Sequence, residues 1–285
     1  MNLRSTVLLL LLHALAVPDA AHAAAETVND ERIEQELAGK GSALLKQNRG
    51  YALSNLVAQL ARKQCALNLP ACDTNHLDTV AQCDRARESV VALGGLYKCK
   101  KCTDWHVATA SGFAVAEPDI FLTNYHVVED DKAAILVARS LGGKVAAVTE
   151  VLAANRTADF ALVRIPGLKL RPLPLRAGAP AGTPISVVSH PNHRFFSFTA
   201  GHVSRYYVQN RGEHMPRAEW MQVTAEFAKG SSGAPVLDEC GNAVGMVAST
   251  QAVYYNEKDA LSAQMVFRDC VPVHAVLNAV KPATP

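Results

Sequence analysis

From residue 88 to about residue 270 the chain is a succession of short apolar runs separated by turn signals, a rhythm that points to an all-β architecture. Segments 90–93, 108–115, 120–124, 145–152 and 159–165 read as strands, and Glu117-Pro118-Asp119 makes the turn before the third. Residues 169–183 carry Pro172, Pro174 and Pro180 and read as a linker between two halves. Beyond it, segments 184–189, 195–207, 220–225, 234–237, 243–248 and 264–268 read as a second set of strands. Cys240-Gly241-Asn242 is a hairpin turn, and 272–280 reads as a short C-terminal helix.

The chain before residue 88 has another character. Met1-Asn2-Leu3-Arg4, the apolar run from Val7 to Leu12 and Ala21-His22-Ala23 have the order of a secretory signal peptide, expected over 1–23. In residues 24–87, Ile33, Leu37, Leu44 and Leu45, then Leu53, Leu56, Val57 and Leu60, recur at a helical period. Helix is therefore expected over 26–64, capped by Asn29 or Asp30 and divided in two by Gly39 and Gly41. Residues 65–87 read as a cysteine-bearing connector with a short helix near 77–85.

A formal charge of +2 with scattered Lys and Arg gives no basis for nucleic-acid binding. No stretch after the signal is apolar and long enough to cross a bilayer, so no stable membrane insertion is expected after cleavage. The seven cysteines all lie in the exported portion, where disulfides are the first expectation and an odd count leaves one thiol over. Cys240 and Cys270 are one possible pair. A local disulfide is the first reading of Cys99-x-x-Cys102; a zinc site with His106 is a second, short of a fourth ligand unless Cys65, Cys72, Cys83 or His76 folds close.

Three segments carry chemistry. In Lys229-Gly230-Ser231-Ser232-Gly233-Ala234-Pro235-Val236 a serine stands in a glycine-flanked turn that can also aim backbone N–H groups at one point. Phe121-Leu122-Thr123-Asn124-Tyr125-His126-Val127-Val128 ends a strand-like run in a histidine. Thr157-Ala158-Asp159-Phe160-Ala161-Leu162 places an aspartate at the mouth of an alternating strand. Seryl attack on a carbonyl needs a base to take the hydroxyl proton, and the base needs an acceptor to fix its tautomer. His126, Asp159 and Ser232 are the residue types for those three roles.

These segments resemble the motifs of chymotrypsin-fold serine peptidases, in particular the HtrA/Deg-like branch, with its T-N-x-H-V-V, D-x-A and G-N-S-G-G-P patterns. Ser111-Gly112-Phe113 and Gly201-His202-Val203-Ser204 fit the same family, and the similarity runs over about residues 88–280. Ser231 stands where Asn is usual and Ala234 where the second Gly is usual. No segment follows residue 285, so PDZ domains are not expected.

The resemblance implies two Greek-key β-barrels, about 88–168 and 184–270, forming a peptidase domain over 88–285 behind a helical segment. It implies His126 as general base, Asp159 as its orienting partner and Ser232 as nucleophile. Backbone N–H groups of Gly230 and Ser232, aided by Ser231, would form the oxyanion hole. Glu226, six residues before Ser232, is a candidate for the base of the specificity pocket. The expected function is that of an exported serine endopeptidase, periplasmic or extracellular, acting on protein or peptide substrates without cofactor or metal. The alternatives are a non-catalytic binding or chaperone module on the same fold, and a protease held latent by its N-terminal helices.

Overall fold

Two antiparallel sheets, one from each half of the β region, face each other across the linker. The computed structural model describes residues 27–47, 52–130, 132–210, 212, 215–258 and 260–283; the expected signal segment lies outside them. The chain enters through helices α1 (Asp30–Lys46), α2 (Leu53–Gln59) and α3 (Thr79–Ser89), with a two-residue strand β1 (Cys65–Ala66) between the last two. The first half holds β2 (Val90–Lys98), β3 (Trp105–Ala116), β4 (Ile120–Thr123), β5 (Ile135–Ser140), β6 (Val145–Ala147), β7 (Glu150–Asn155) and β8 (Phe160–Arg164). A one-turn helix, α4 (Tyr125–Val128), follows β4. The second half holds β9 (Pro184–Ser189), β10 (Ser197–Gln209), β11 (Ala218–Val223), β12 (Pro235–Leu237), β13 (Ala243–Tyr254) and β14 (Ala263–Pro272). Helix α5 (Val273–Leu277) and β15 (Val280–Lys281) complete the chain, and β15 pairs in parallel with β1.

The expectation of two closed Greek-key barrels does not hold. The first sheet runs β6-β5-β2-β3-β4-β8-β7 and stays open, whereas the six strands of the second half close into a ring. The helical segment supplies the physical reason. An edge strand needs partners for its outward N–H groups. On β7 these come from the end of α2: Val151 N–H donates to Gln59 Oε1 at 2.9 Å and Ala154 N–H to the Arg62 carbonyl at 2.7 Å. Arg62 returns a hydrogen bond to the Val151 carbonyl at 2.7 Å and pairs with Glu150 at 2.9 Å. At the other edge α1 packs over β5 and β6, and Lys40 Nζ donates to the Gly143 carbonyl at 3.0 Å. With both margins covered, β6 and β7 have no need to meet.

Helix α1 is continuous through Gly39 and Gly41, against expectation. Asn29 caps it by accepting from Arg32 N–H at 2.9 Å. Each interior glycine costs a helix about 1 kcal/mol relative to Ala, which tertiary contact offsets. Gly41 lies so close to the sheet that a Cβ there would stand 2.8 Å from Leu96 Cδ2. Ile33 and Leu37 are buried on the same face. Glu36 bonds Arg139 of β5 at 2.8 Å, and that guanidinium holds its carboxyl below the ordinary range.

The apolar interior has three parts. One fills the concave side of the open sheet and takes in Leu53, Leu56 and Leu60 from the region of α2. A second fills the ring, with Val187, Met221 and Val236. The third lies between the halves and joins Ile33 and Leu37 of α1 to Phe113, Phe160, Phe196, Trp220 and Leu237. The two halves therefore share a core, and α1 belongs to it.

His190, after β9, is fully buried beside that core. Its Nδ1 accepts from Phe196 N–H at 3.0 Å, which requires a neutral ring with the proton on Nε2. Burial pushes the imidazole down to about 4; the carbonyls of Val91 and Ser189 pull more weakly the other way.

Two outcomes follow from this packing. Leu37→Ala should lower the unfolding free energy by about 2–5 kcal/mol, whereas Val80→Ala, at a largely exposed position, should change it by less than about 0.5 kcal/mol; denaturant titration measures both. The unfolded chain protonates His190 near pH 6.5 and the folded chain only near 4, so stability present above pH 6.5 is lost as pH falls between those values. About 2–3 kcal/mol should disappear from this group between pH 7 and pH 4.5, and His190→Gln should show a correspondingly shallower pH dependence of unfolding.

Candidate active site

The turn at 228–233 takes its shape from two glycines with positive φ, 98° at Gly230 and 90° at Gly233. Neither admits a side chain: a Cβ on Gly230 would strike the His190 carbonyl, and one on Gly233 the Ser111 carbonyl. Ser231 is buried and closes the turn, its N–H donating to the Ala228 carbonyl at 3.0 Å. That N–H is thereby committed, so it is not available to the oxyanion hole that the sequence leads one to expect. Among the described residues, the N–H groups of Gly230 and Ser232 have no hydrogen-bond partner. Ala234, in place of a second glycine, is buried and donates its N–H to the Ser231 carbonyl at 3.0 Å, so the turn is kept.

The turn is tied to the first sheet. Ser111 of β3 donates its N–H to the Ser232 carbonyl at 2.7 Å and its hydroxyl to the Gly230 carbonyl at 3.1 Å. Thr123, at the end of β4, donates its hydroxyl to the Ser111 carbonyl at 2.8 Å. Three residues later the chain presents His126 from α4, not from the strand end that the sequence suggests.

Asp159 stands immediately before β8 with φ of 55°, an unusual conformation for a residue with a side chain. Asn124 Nδ2 donates to its carbonyl at 2.9 Å. The buried Asp159 carboxylate accepts from both the backbone N–H of His126, at 3.1 Å, and the ring Nδ1, at 3.0 and 2.9 Å. A carboxylate accepts only from a protonated Nδ1, so the neutral imidazole carries its lone pair on Nε2.

His126 and Ser232 line one cavity of about 220 Å³, together with Thr109, Ala110, Asp130, Lys229 and Gly230. A neighbouring cavity of about 430 Å³ shares Thr109, Asp130, Lys229 and Gly230 with it and adds Tyr97, Lys132, Asn192 and His193. The structure thus brings His126 and Asp159 into direct contact and sets Ser232 on the cavity that His126 also lines. The Ser232 hydroxyl donates to the Ala248 carbonyl at 3.3 Å and not to His126.

Glu226 does not reach this cavity. Its side chain is 75% exposed and pairs with Arg268 of β14 at 2.7 Å. The expected disulfides do not form either, since Cys65, Cys72, Cys83, Cys99, Cys102 and Cys240 all carry thiols. Sequence reasoning missed the part played by Ser111 and Thr123; the short Ser-Gly-Phe pattern marked the first without its role.

Comparison with known proteins bears on the fold that carries these residues. Residues 110–246 match the family model of the trypsin-like peptidase domain. The chain is 27% identical over 144 residues to chloroplastic Protease Do-like 1 of Arabidopsis thaliana, a match that covers 48% of this chain and 32% of that protein. It spans between 21% and 32% of the length of the curated relatives it matches. Among solved structures, the active form of the Rv3671c protease from M. tuberculosis superposes with a TM-score of 0.56 at 21% identity, over 76% of this chain and 92% of that one. The HtrA-type protease AlgW with a tripeptide gives 0.56 at 18% identity, over 69% and 60%. Residues 110–246 are thus similar to the trypsin-like peptidase domain, and the chain shares its fold with these solved proteases.

Proposed function

We propose that the protein is a serine endopeptidase in which His126 acts as general base, Asp159 orients it and Ser232 attacks the scissile carbonyl. The observation that carries this reading is the doubly bonded Asp159–His126 pair, which leaves the Nε2 lone pair on a cavity that Ser232 also lines. In this reaction the Ser232 hydroxyl turns from the Ala248 carbonyl to His126 and gives up its proton as it bonds the carbonyl carbon. The imidazolium formed is stabilised by Asp159 and then protonates the leaving amine. The N–H groups of Gly230 and Ser232 are the donors for the oxyanion; one such donor is worth about 3 kcal/mol in the transition state. Water, with His126 again as base, releases the acyl group.

The substrates in this reading are proteins or peptides lying along the joined cavities. Residues 1–23 support export to a periplasm or beyond the cell. No helix of the described residues is long and apolar enough to cross a membrane. The Ser232–Ala248 hydrogen bond favours a second reading, a domain that binds peptides without cleaving them or rests latent until a partner turns the hydroxyl.

Labelling with a fluorophosphonate probe separates the readings. The mature chain should label at Ser232, and Ser232→Ala should abolish labelling and lower turnover by several orders of magnitude; labelling that survives this change moves the nucleophile elsewhere, and none in the unchanged chain favours the binding module. Asp159→Asn should reduce kcat about 10⁴-fold. In a peptide-library digest read by mass spectrometry, Glu226→Gln should leave the residue preference before the cut unchanged, because Arg268 already holds that carboxylate.

A further inference from the structure

The hairpin between β2 and β3 gathers three metal-ligating side chains away from the site above. Cys99 and Cys102 lie in its loop and His106 is the second residue of β3. Their ligand atoms all fall within 4.8 Å of one another. Cys102 Sγ stands 3.2 Å from Cys99 Sγ and 3.0 Å from His106 Nε2. A disulfide needs its sulfurs about 2.05 Å apart, and these are thiols. We propose that Cys99, Cys102 and His106 form a binding site for a thiophilic cation of the zinc class, with the fourth position open to water or an external donor.

Around zinc, with Zn–S of about 2.3 Å and Zn–N of about 2.0 Å, tetrahedral ligands stand about 3.5–3.8 Å apart. The two short spacings need to widen by only about half an ångström, and Cys102 is exposed at the loop surface. The backbone prepares the donor. Lys101 N–H points at Cys99 Sγ from 3.4 Å, the kind of outer hydrogen bond that orients a metal thiolate.

Charge is compatible as well. Two thiolates and a neutral imidazole bring a divalent ion to zero net charge, so Lys98, Lys100 and Lys101 have no cation to repel. On binding, both thiol protons pass to solvent. Lys98 is itself engaged, with Nζ 4.7 Å over the Trp105 ring and bonded to the Thr103 carbonyl. The imidazole ring of His106 packs against Tyr97 across the strand pair at 5.5 Å between centroids. Tyr97, Val107, Ala108 and Thr109 line the 430 Å³ cavity beside the proposed cleft, so a bound ion pins the two strands that form its wall.

The test uses the reduced full-length chain, stripped of metal, and requires no peptide hydrolysis. Native mass spectrometry after zinc addition should give one equivalent per chain. Cobalt added in its place should give an intense thiolate-to-metal charge-transfer band with the visible spectrum of a tetrahedral site. The variants Cys99→Ser, Cys102→Ser and His106→Ala should each weaken binding at least about tenfold, while the other five cysteines remain. Unchanged binding in these variants, a cobalt spectrum without the charge-transfer band, or no stoichiometric uptake by the reduced chain overturns the proposal. Circular dichroism of each variant verifies that the fold survives, which the exposed position of the loop leads us to expect.

Discussion

Ser111 holds the two halves of the site at a fixed separation. Its N–H and its hydroxyl both bond carbonyls of the serine turn, and its own carbonyl takes the Thr123 hydroxyl. Each such bond is worth only about 1 kcal/mol net. Their geometric effect is larger, because all three lie in buried surroundings where an unmet partner costs more than a formed bond gains. One end of this chain of bonds fixes Ser232; the other fixes the end of β4, from which α4 presents His126. Gly233 is part of the same constraint, since its missing Cβ is what lets the Ser111 carbonyl come close.

The apolar core between the halves makes that clamp rigid. Phe113 lies in β3 two residues from Ser111, Leu237 in β12 just after the serine turn, and both belong to the shared cluster with Leu37 of α1. The N-terminal helices are thus structural members of the domain. They also let the first sheet remain open, because α2 and Arg62 satisfy the margin that would otherwise seek a strand. Asp30 at the start of α1 accepts from Phe195 N–H at 2.9 Å, which ties the same helix to the loop that carries His193 to the cavity.

What the sequence made legible was the local chemistry. The three segments around His126, Asp159 and Ser232 announce themselves because each role demands a residue type in a definite backbone setting, and such settings have short-range signatures. Long-range closure has none. Strand β5 escaped notice because its Ala-rich lead-in lacks the alternation of a half-buried strand, both of its faces being buried. The break expected at Gly39 and Gly41 rested on intrinsic propensity, which contact with Leu96 overrides. Glu226 looked like a pocket acid by its offset alone; the residue that decides its orientation, Arg268, sits 42 positions away. Closure of the first barrel failed for the same reason, since the groups that cover its margins come from a segment outside the recognisable motif.

The serine hydroxyl and the aspartate backbone are poised in opposite ways. Asp159 is held in a left-handed conformation that costs about 1–3 kcal/mol, and the bond from Asn124 to its carbonyl helps to hold it there. That investment fixes the imidazole through two donors and leaves its orientation little freedom. The Ser232 hydroxyl has no such restraint. Its bond to the Ala248 carbonyl, at 3.3 Å, is long for a hydroxyl donor. A firmly held imidazole beside a loosely held hydroxyl suits the proposed reaction, in which the hydroxyl must turn to His126 before it gives up its proton.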